Sequence, residues 1–203
     1  MYDSIIFDMD GTLVNFLKQM TISWNLTCKK YGWDKVITID EMKSVMGLNG
    51  HDIGVRFFPG IDEDEATRRV YVCSAEEVDY FDQVEIGDTY IPNEEFLIKL
   101  SSKYKLYIVS NCLEGYIEIF LKKYNFEKYF IDSANAASGN TKAQNIKNIV
   151  SKHNLVNPVY VGDTIKDKES SDEANVDFIY ASYGFGKVDC EKKIEKLEDL
   201  LDL

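Results

Sequence analysis

The sequence predicts an α/β fold, a parallel sheet layered between helices, carrying an all-helical insert near its start. Three observations lead there. The short apolar run Ile5 to Phe7 reads as a buried strand. From Asn15 to about Val84, apolar residues recur at helical spacing with no convincing strand. After Pro92, helical stretches alternate with short apolar runs, the pattern of a parallel sheet joined by crossover helices. The first strand should join that sheet. The chain therefore divides into an α/β core domain of residues 1–14 and 88–203, and a helical domain of residues 15–87.

In the helical stretch, Leu17, Met20, Trp24, Cys28 and Tyr31 form one apolar stripe. Thr38-Ile39-Asp40-Glu41 resembles a capping box ahead of Met42–Met46, with Gly47 as a stop. A third helix spans His51 to Phe58, ended by Pro59-Gly60. A fourth spans Asp62 to about Phe81, and its opening acids suit the positive end of a helix. Further on, helices are expected over Asn93–Tyr104, Leu113–Tyr124, Thr141–His153 and Asp167–Ala174. Strands are expected at Lys105–Val109, Phe130-Ile131, Pro158–Val161 and Phe178–Ala181. Cys190 to Leu201 reads as a final amphipathic helix.

At 203 residues with 45% hydrophobic content, the chain can bury a sizeable core. A net charge of -12 argues against a nucleic-acid partner and against an anionic membrane, both of which favour a basic surface. No apolar run approaches the ~20 residues of a membrane span, and the start of the chain enters a strand without a signal-peptide pattern. Cys28, Cys73, Cys112 and Cys190 lie far apart, and only His51 and His153 could join them, so a zinc site is not expected. A cytoplasmic protein with reduced thiols is the expectation.

The chemistry gathers at strand ends. Asp8 and Asp10 follow the first strand at i and i+2, so on an extended backbone they face the same side. Gly11 then allows a sharp turn. Two such carboxylates repel unless a cation lies between them, and Mg²⁺ is the natural hard, oxygen-liganded ion. Two more predicted strands end in polar residues, Ser110-Asn111 and Gly162-Asp163-Thr164-Ile165-Lys166-Asp167, and Lys142 opens a helix. Ligands of open parallel sheets bind at such strand ends, and this set suits phosphate held through a metal. Each piece has a plainer reading alone. Asp8 to Gly11 could be a solvated turn, Lys142 a surface lysine, Asp167 a helix N-cap and Thr12 a turn support. Cys112 reads as a small packing residue, and Tyr183-Gly184-Phe185-Gly186 as either a loop near the crevice or a surface turn.

Together the motifs resemble the haloacid dehalogenase (HAD) superfamily phosphohydrolases with a helical cap inserted after the first strand. They stand in order: Asp8-x-Asp10-Gly11-Thr12, Val109-Ser110-Asn111, Lys142, and Gly162-Asp163-Thr164-x-x-Asp167. The resemblance covers the core, while the cap matches in position and helicity only. It implies a Rossmann-like three-layer core with an all-helical cap domain. It implies Asp8 as nucleophile forming an aspartyl-phosphate, and Asp10 as acid and then base. Lys142 would neutralise charge. Ser110, Asn111 and Thr12 would bind substrate. Asp8, Asp10 (through its carbonyl), Asp163 and Asp167 would form the Mg²⁺ site. Members often carry Asp-Ser at the position of Asn15-Phe16 and Pro at that of Ala143, departures that leave the chemical residues intact.

The implied function is a Mg²⁺-dependent, phosphoglycolate phosphatase-like hydrolase of a small phosphorylated metabolite, acting as a monomer or homodimer. A sugar-phosphate mutase of the same fold is the enzymatic rival, and a catalytically silent binding module the non-enzymatic one. A dehalogenase is disfavoured because it has no use for the acid/base that Asp10 supplies. Asn49, His51 and Arg56 are candidates for reading the leaving group.

Overall fold

The structure, a computed structural model, describes residues 2–84 and 87–203. It separates into two compact units, Met1–Asn15 with Asp88–Leu203, and Phe16–Gly87.

The first unit is built on strands β1 (Ser4–Phe7), β2 (Val14–Asn15), β3 (Asp88–Thr89), β4 (Lys105–Val109), β5 (Phe130–Ala134), β6 (Pro158–Gly162), β7 (Asp177–Ala181) and β8 (Lys193–Ile194). Six of them form a parallel sheet in the order β5-β4-β1-β6-β7-β8. β1 is the pivot. The chain builds outward from it through β4 and β5, then returns to its other side for β6, β7 and β8. Such a reversal of strand order leaves a crevice at the carboxyl ends of the central strands. In register, Phe7 lies between Ile108 and Val161, so Asp8 emerges beside the ends of β4 and β6. β2 and β3 pair separately and antiparallel, Val14 against Thr89.

Helices α5 (Glu94–Lys103), α6 (Tyr116–Tyr124), α7 (Lys142–Lys152) and α8 (Ile165–Ala174) belong to this unit. Ile6, Tyr107, Val109 and Tyr160 from the sheet pack with Ile146 and Ile149 of α7 in one buried cluster. Because strand side chains alternate, Ile5, Phe7, Leu106 and Ile108 face the opposite layer. There α5 packs on β4 and on the last turn of the chain.

The end of the chain departs from expectation. Cys190–Leu201 is not a helix: Lys193-Ile194 pairs with Tyr180-Ala181, and Leu197–Asp202 is a 3₁₀ turn. An isolated helix this short is marginal, whereas β7 offers an open edge. The Tyr180 and Ser182 amides donate to the Lys192 and Ile194 carbonyls at 2.9 and 3.0 Å. Ile194, Leu197 and Leu200 are buried in this arrangement. α6 also starts later than the apolar spacing suggests, at Tyr116, because Gly115 adopts φ +90°.

The second unit holds α1 (Leu17–Lys30), α2 (Ile39–Ser44), α3 (Gly50–Phe57) and α4 (Glu63–Gln83). The capping box forms: Glu41 N donates to Thr38 Oγ1 at 3.1 Å, and Thr38 N to Glu41 Oε2 at 2.8 Å. Asp62 caps α4 by accepting from the Asp64 and Glu65 amides, both at 3.1 Å. Leu17, Met20, Trp24 and Cys28 are buried as the stripe requires, but Tyr31 is 47% exposed and stacks on Trp33 with ring centroids 5.1 Å apart. Tyr31 follows the last residue of α1, where the helical face no longer governs direction. Among the described residues, no helix is long and apolar enough to cross a membrane.

α3 and α4 meet at Gly54, where a Cβ would stand 2.8 Å from the Ala66 carbonyl carbon and 2.8 Å from Thr67 N. Backbone cannot swing aside as a side chain can. Gly54→Ala should therefore destabilise the protein by about 1–3 kcal/mol through overpacking, despite alanine's ~1 kcal/mol better helix propensity. A lowered urea midpoint is the expected result, and an unchanged one would show that the two helices yield.

Candidate active site

The site lies at the carboxyl ends of β1, β4 and β6 and at the start of α7. Its centre is Lys142, the first residue of α7, whose Nζ donates to Asp8 Oδ1 at 2.8 Å and to Asp167 Oδ1 at 2.7 Å. All three side chains are buried. A helix N-terminus disfavours a cation, so the two carboxylates are what hold the ammonium there. Thr141 and Gln144 close a capping box around this end, satisfying amides that the lysine cannot. The Tyr160 hydroxyl borders the group, donating to Val109 O at 2.8 Å and lying 3.4 Å from Asp167 Oδ1.

Asp167 is held from both sides. Its Oδ2 accepts from Thr164 N at 2.9 Å and Thr164 Oγ1 at 2.6 Å, in the capping box that opens α8. The N-cap is therefore Thr164 and not Asp167, which as the third residue of α8 closes the capping box and pairs with Lys142 at once. Asp163 differs. Its Oδ2 accepts from Phe185 N at 2.6 Å and Gly186 N at 3.4 Å, but among the described residues its buried Oδ1 has no hydrogen-bond partner. One carboxylate oxygen from each of Asp8, Asp163 and Asp167 lies within 4.8 Å of the others. An unpaired buried carboxylate oxygen is costly, and three converging carboxylates are a donor set suited to a hard divalent cation.

Asp10 turns elsewhere: its Oδ1 accepts from the Tyr116 hydroxyl at 2.7 Å. Ser110 is buried just past β4, with Asn111 partly buried after it. Thr12 is wholly buried; its amide donates to Met9 O at 3.1 Å, closing the turn, while its hydroxyl has no partner among the described residues. The structure thus gathers Asp8, Lys142, Asp163 and Asp167, gives Asp10 a separate partner, and sets Thr12 inside the turn. Asn49, His51 and Arg56 are engaged within the helical unit. Asn49 caps α3, its Oδ1 accepting from Asp52 N at 3.0 Å, Arg56 reaches Ser44 O at 3.2 Å, and His51 lies 3.3 Å from Glu63.

Three contributors carried little sequence signal. Tyr116 follows a glycine after a strand, and Tyr160 is a lone hydroxyl in an apolar strand. The Tyr183–Gly186 segment, open between loop and surface turn from its sequence, supplies the amides for Asp163. A Cβ on Gly184 would lie 2.5 Å from Gly11 O, and one on Gly11, at φ +86°, 2.6 Å from Asp163 Cγ. Cys112 sits beside Ser110 and Asp10; burial and the Asp10 charge push its thiol well above the usual range, so it stays protonated.

The excess of negative charge shows in the titrations. Burial, with the Asp167 charge beside it, raises Asp8 to about 6 against the opposing pull of Lys142. Burial raises Asp10 to about 7, partly countered by the Tyr116 hydrogen bond. Burial, then the Asp8 and Asp167 charges, raise Asp163 to about 8. Burial alone would lower Lys142, but Asp167 and Asp8 carry it well above its normal value. One lysine does not balance this many carboxylates.

Residues 5–181 match the sequence model of the haloacid dehalogenase-like hydrolases. The chain belongs to that family. Among solved structures, this family member is similar to a candidate phosphoglycolate phosphatase of Lactobacillus plantarum, with a TM-score of 0.84, 20% identity, and 100% of this chain and 99% of that one covered. A haloacid dehalogenase-like family hydrolase of Streptococcus pneumoniae matches with a TM-score of 0.81 at 20% identity, covering 99% and 97%. A protein of Haemophilus somnus, described as a predicted phosphoglycolate phosphatase, matches with a TM-score of 0.81 at 18% identity, covering 99% and 97%. At these identities the likeness establishes the fold. No curated protein matches the chain.

The raised carboxylates fix a sign. Between the unfolded carboxylate pKa near 4 and the folded value of about 8 for Asp163, the folded chain binds more protons, so stability falls as pH rises. In chelating buffer the urea midpoint should be lower at about pH 8 than at about pH 5, and Asp163→Asn should flatten the difference. An unaltered slope in the variant would contradict this.

Proposed function

We propose that this hydrolase is a Mg²⁺-dependent phosphatase of a small phosphorylated metabolite, working through an aspartyl-phosphate on Asp8. The observation that carries the reading is the Lys142 bridge between Asp8 and Asp167, at 2.8 and 2.7 Å, beside Asp163 Oδ1, which has no partner among the described residues. Phosphoryl transfer asks a protein mainly for positioning and charge neutralisation, and this arrangement offers both.

Asp8 and Asp163 would hold the cation, with the Asp10 carbonyl contributing and Asp167 at the border, its oxygens already occupied by Lys142 and Thr164. Bound there, Mg²⁺ supplies charge neutralisation to the nucleophile and to the phosphoryl oxygens. In the first step an Asp8 carboxylate oxygen bonds to phosphorus while the ester P–O bond breaks, and Asp10 gives its proton to the leaving oxygen. In the second, the Asp10 carboxylate takes a proton from water, whose oxygen bonds to phosphorus. The bond to Asp8 breaks and phosphate is released. A carboxyl group raised to about 7 is suited to both roles near neutral pH. Ser110 and Asn111 are assigned to the non-bridging oxygens, and Lys142 to the charge on Asp8 and the transferring group. Thr12, with a buried hydroxyl that has no partner among the described residues, is assigned beside them. The net charge of -12 makes the local cations decisive for admitting an anion.

The proposal extends to substrate class and compartment: a phosphoglycolate-like small anion, in a setting that keeps the four free thiols reduced.

The test is phosphate release from a panel containing phosphoglycolate, sugar phosphates, nucleotides and pyrophosphate, with Mg²⁺ and with chelator. Release should require the metal, and Asp8→Asn should lower kcat by at least about 10³-fold. Lys142→Met should cost about 10²-fold or more. Transfer of phosphate between hydroxyls of a sugar, without net release, would favour a mutase instead. A folded protein inert on every substrate would overturn the reading.

A further inference from the structure

The acid assigned to the reaction is a carboxyl group on a short turn, and its two oxygens are not in equivalent surroundings. Asp10 Oδ1 accepts a 2.7 Å hydrogen bond from the Tyr116 hydroxyl. Tyr116 is 3% exposed and is the first residue of α6. The chain reaches it through Gly115 at φ +90°, a conformation that favours glycine. The α6 helix then locks in behind it, with the Ile119 amide donating to Gly115 O at 3.0 Å. Ser110 and Asn111 lie on the same connection between β4 and α6. One loop therefore carries both the residues assigned to the phosphoryl oxygens and the partner of the acid.

A carboxyl group exposes one oxygen to the reaction only if its side-chain torsion is fixed. On a turn, an unheld Asp would sample several orientations, and misplacement of a reacting group by about 1 Å costs on the order of 10²-fold in rate. A phenol donating to Oδ1 fixes that torsion and leaves Oδ2 as the oxygen that carries the proton. Resting on the phosphatase reading above, we propose that Tyr116 is a positioning residue for Asp10. It holds Oδ2 toward the leaving oxygen in the first step and toward water in the second. Tyr116 touches neither substrate nor phosphorus in this account.

Leaving-group dependence separates this role from a packing role. p-Nitrophenolate leaves with little need of a proton, whereas an alkoxide needs one. Tyr116→Phe keeps the ring and removes the hydroxyl. With glycerol phosphate, kcat/KM should fall about 10- to 100-fold. With p-nitrophenyl phosphate, kcat/KM should stay within about 3-fold of wild type, while kcat and KM fall together because Asp10 also serves breakdown of the phosphoenzyme. Equal losses of kcat/KM on both esters, or no loss on either, would overturn the proposal. Asp10→Asn is measured alongside. If it shows the selective loss and Tyr116→Phe does not, Tyr116 alone is misassigned. If Asp10→Asn leaves both esters unaffected, the acid/base reading fails and the positioning role with it. An unchanged thermal midpoint for Tyr116→Phe is expected, and a drop large enough to unfold it at assay temperature would assign Tyr116 to packing.

Discussion

Everything in the α/β unit depends on keeping a lysine and several carboxylates together out of water. Removing a charge from water costs several kcal/mol even after relaxation, and here Lys142, Asp8, Asp163 and Asp167 are all buried. The pairings that make this tolerable come from separate stretches of chain: the end of β1, the turn after β6, and the first residue of α7. Each is delivered by regular structure. β1 and β6 are adjacent in the sheet, so Asp8 and Asp163 emerge side by side. The capping box of α8 aims Asp167 at the same point. The geometry is set by backbone pairing first and by side-chain chemistry second.

Close approach is the second constraint. The turn at Gly11, the strand end at Gly162 and the loop at Gly184 all run against the Asp163 and Asp167 side chains, and a Cβ at Gly162 would stand 2.5 Å from Asp167 Cβ. Glycine at these points lets main chain wrap the carboxylates and turn amides toward Asp163 Oδ2. Among the described residues the other oxygen, Asp163 Oδ1, has no donor, and the carboxylate converges with those of Asp8 and Asp167. Protein donors therefore account for one side of the residue, and a cation is the natural complement for the other.

Much of this was legible in the sequence, for identifiable reasons. Ile5 to Phe7 is apolar on both faces, as a central parallel strand must be, and the alternation after Pro92 has few other solutions. Asp8, Asp163, Asp167 and Lys142 could be placed because strand ends and helix starts are where such residues gather. The fate of Cys190–Leu201 could not be read, because its apolar spacing suits either a weak helix or a strand against the edge of β7, and only the open edge decides. Tyr31 was misjudged by a helix ending one residue sooner than its spacing implies. The Asp10–Tyr116 contact joins residues 106 apart in sequence, and no local pattern announces it. Thr12 is a motif position whose burial in the turn no local pattern announces either.

The central claim is that Asp8 becomes phosphorylated. The most direct measurement is to quench the protein in acid during turnover of p-nitrophenyl phosphate with Mg²⁺, reduce with borohydride, and map the modified residue by mass spectrometry. The account predicts reductive conversion at Asp8 alone, absent in chelator. Turnover with no modified carboxylate, or modification at another residue, would contradict it.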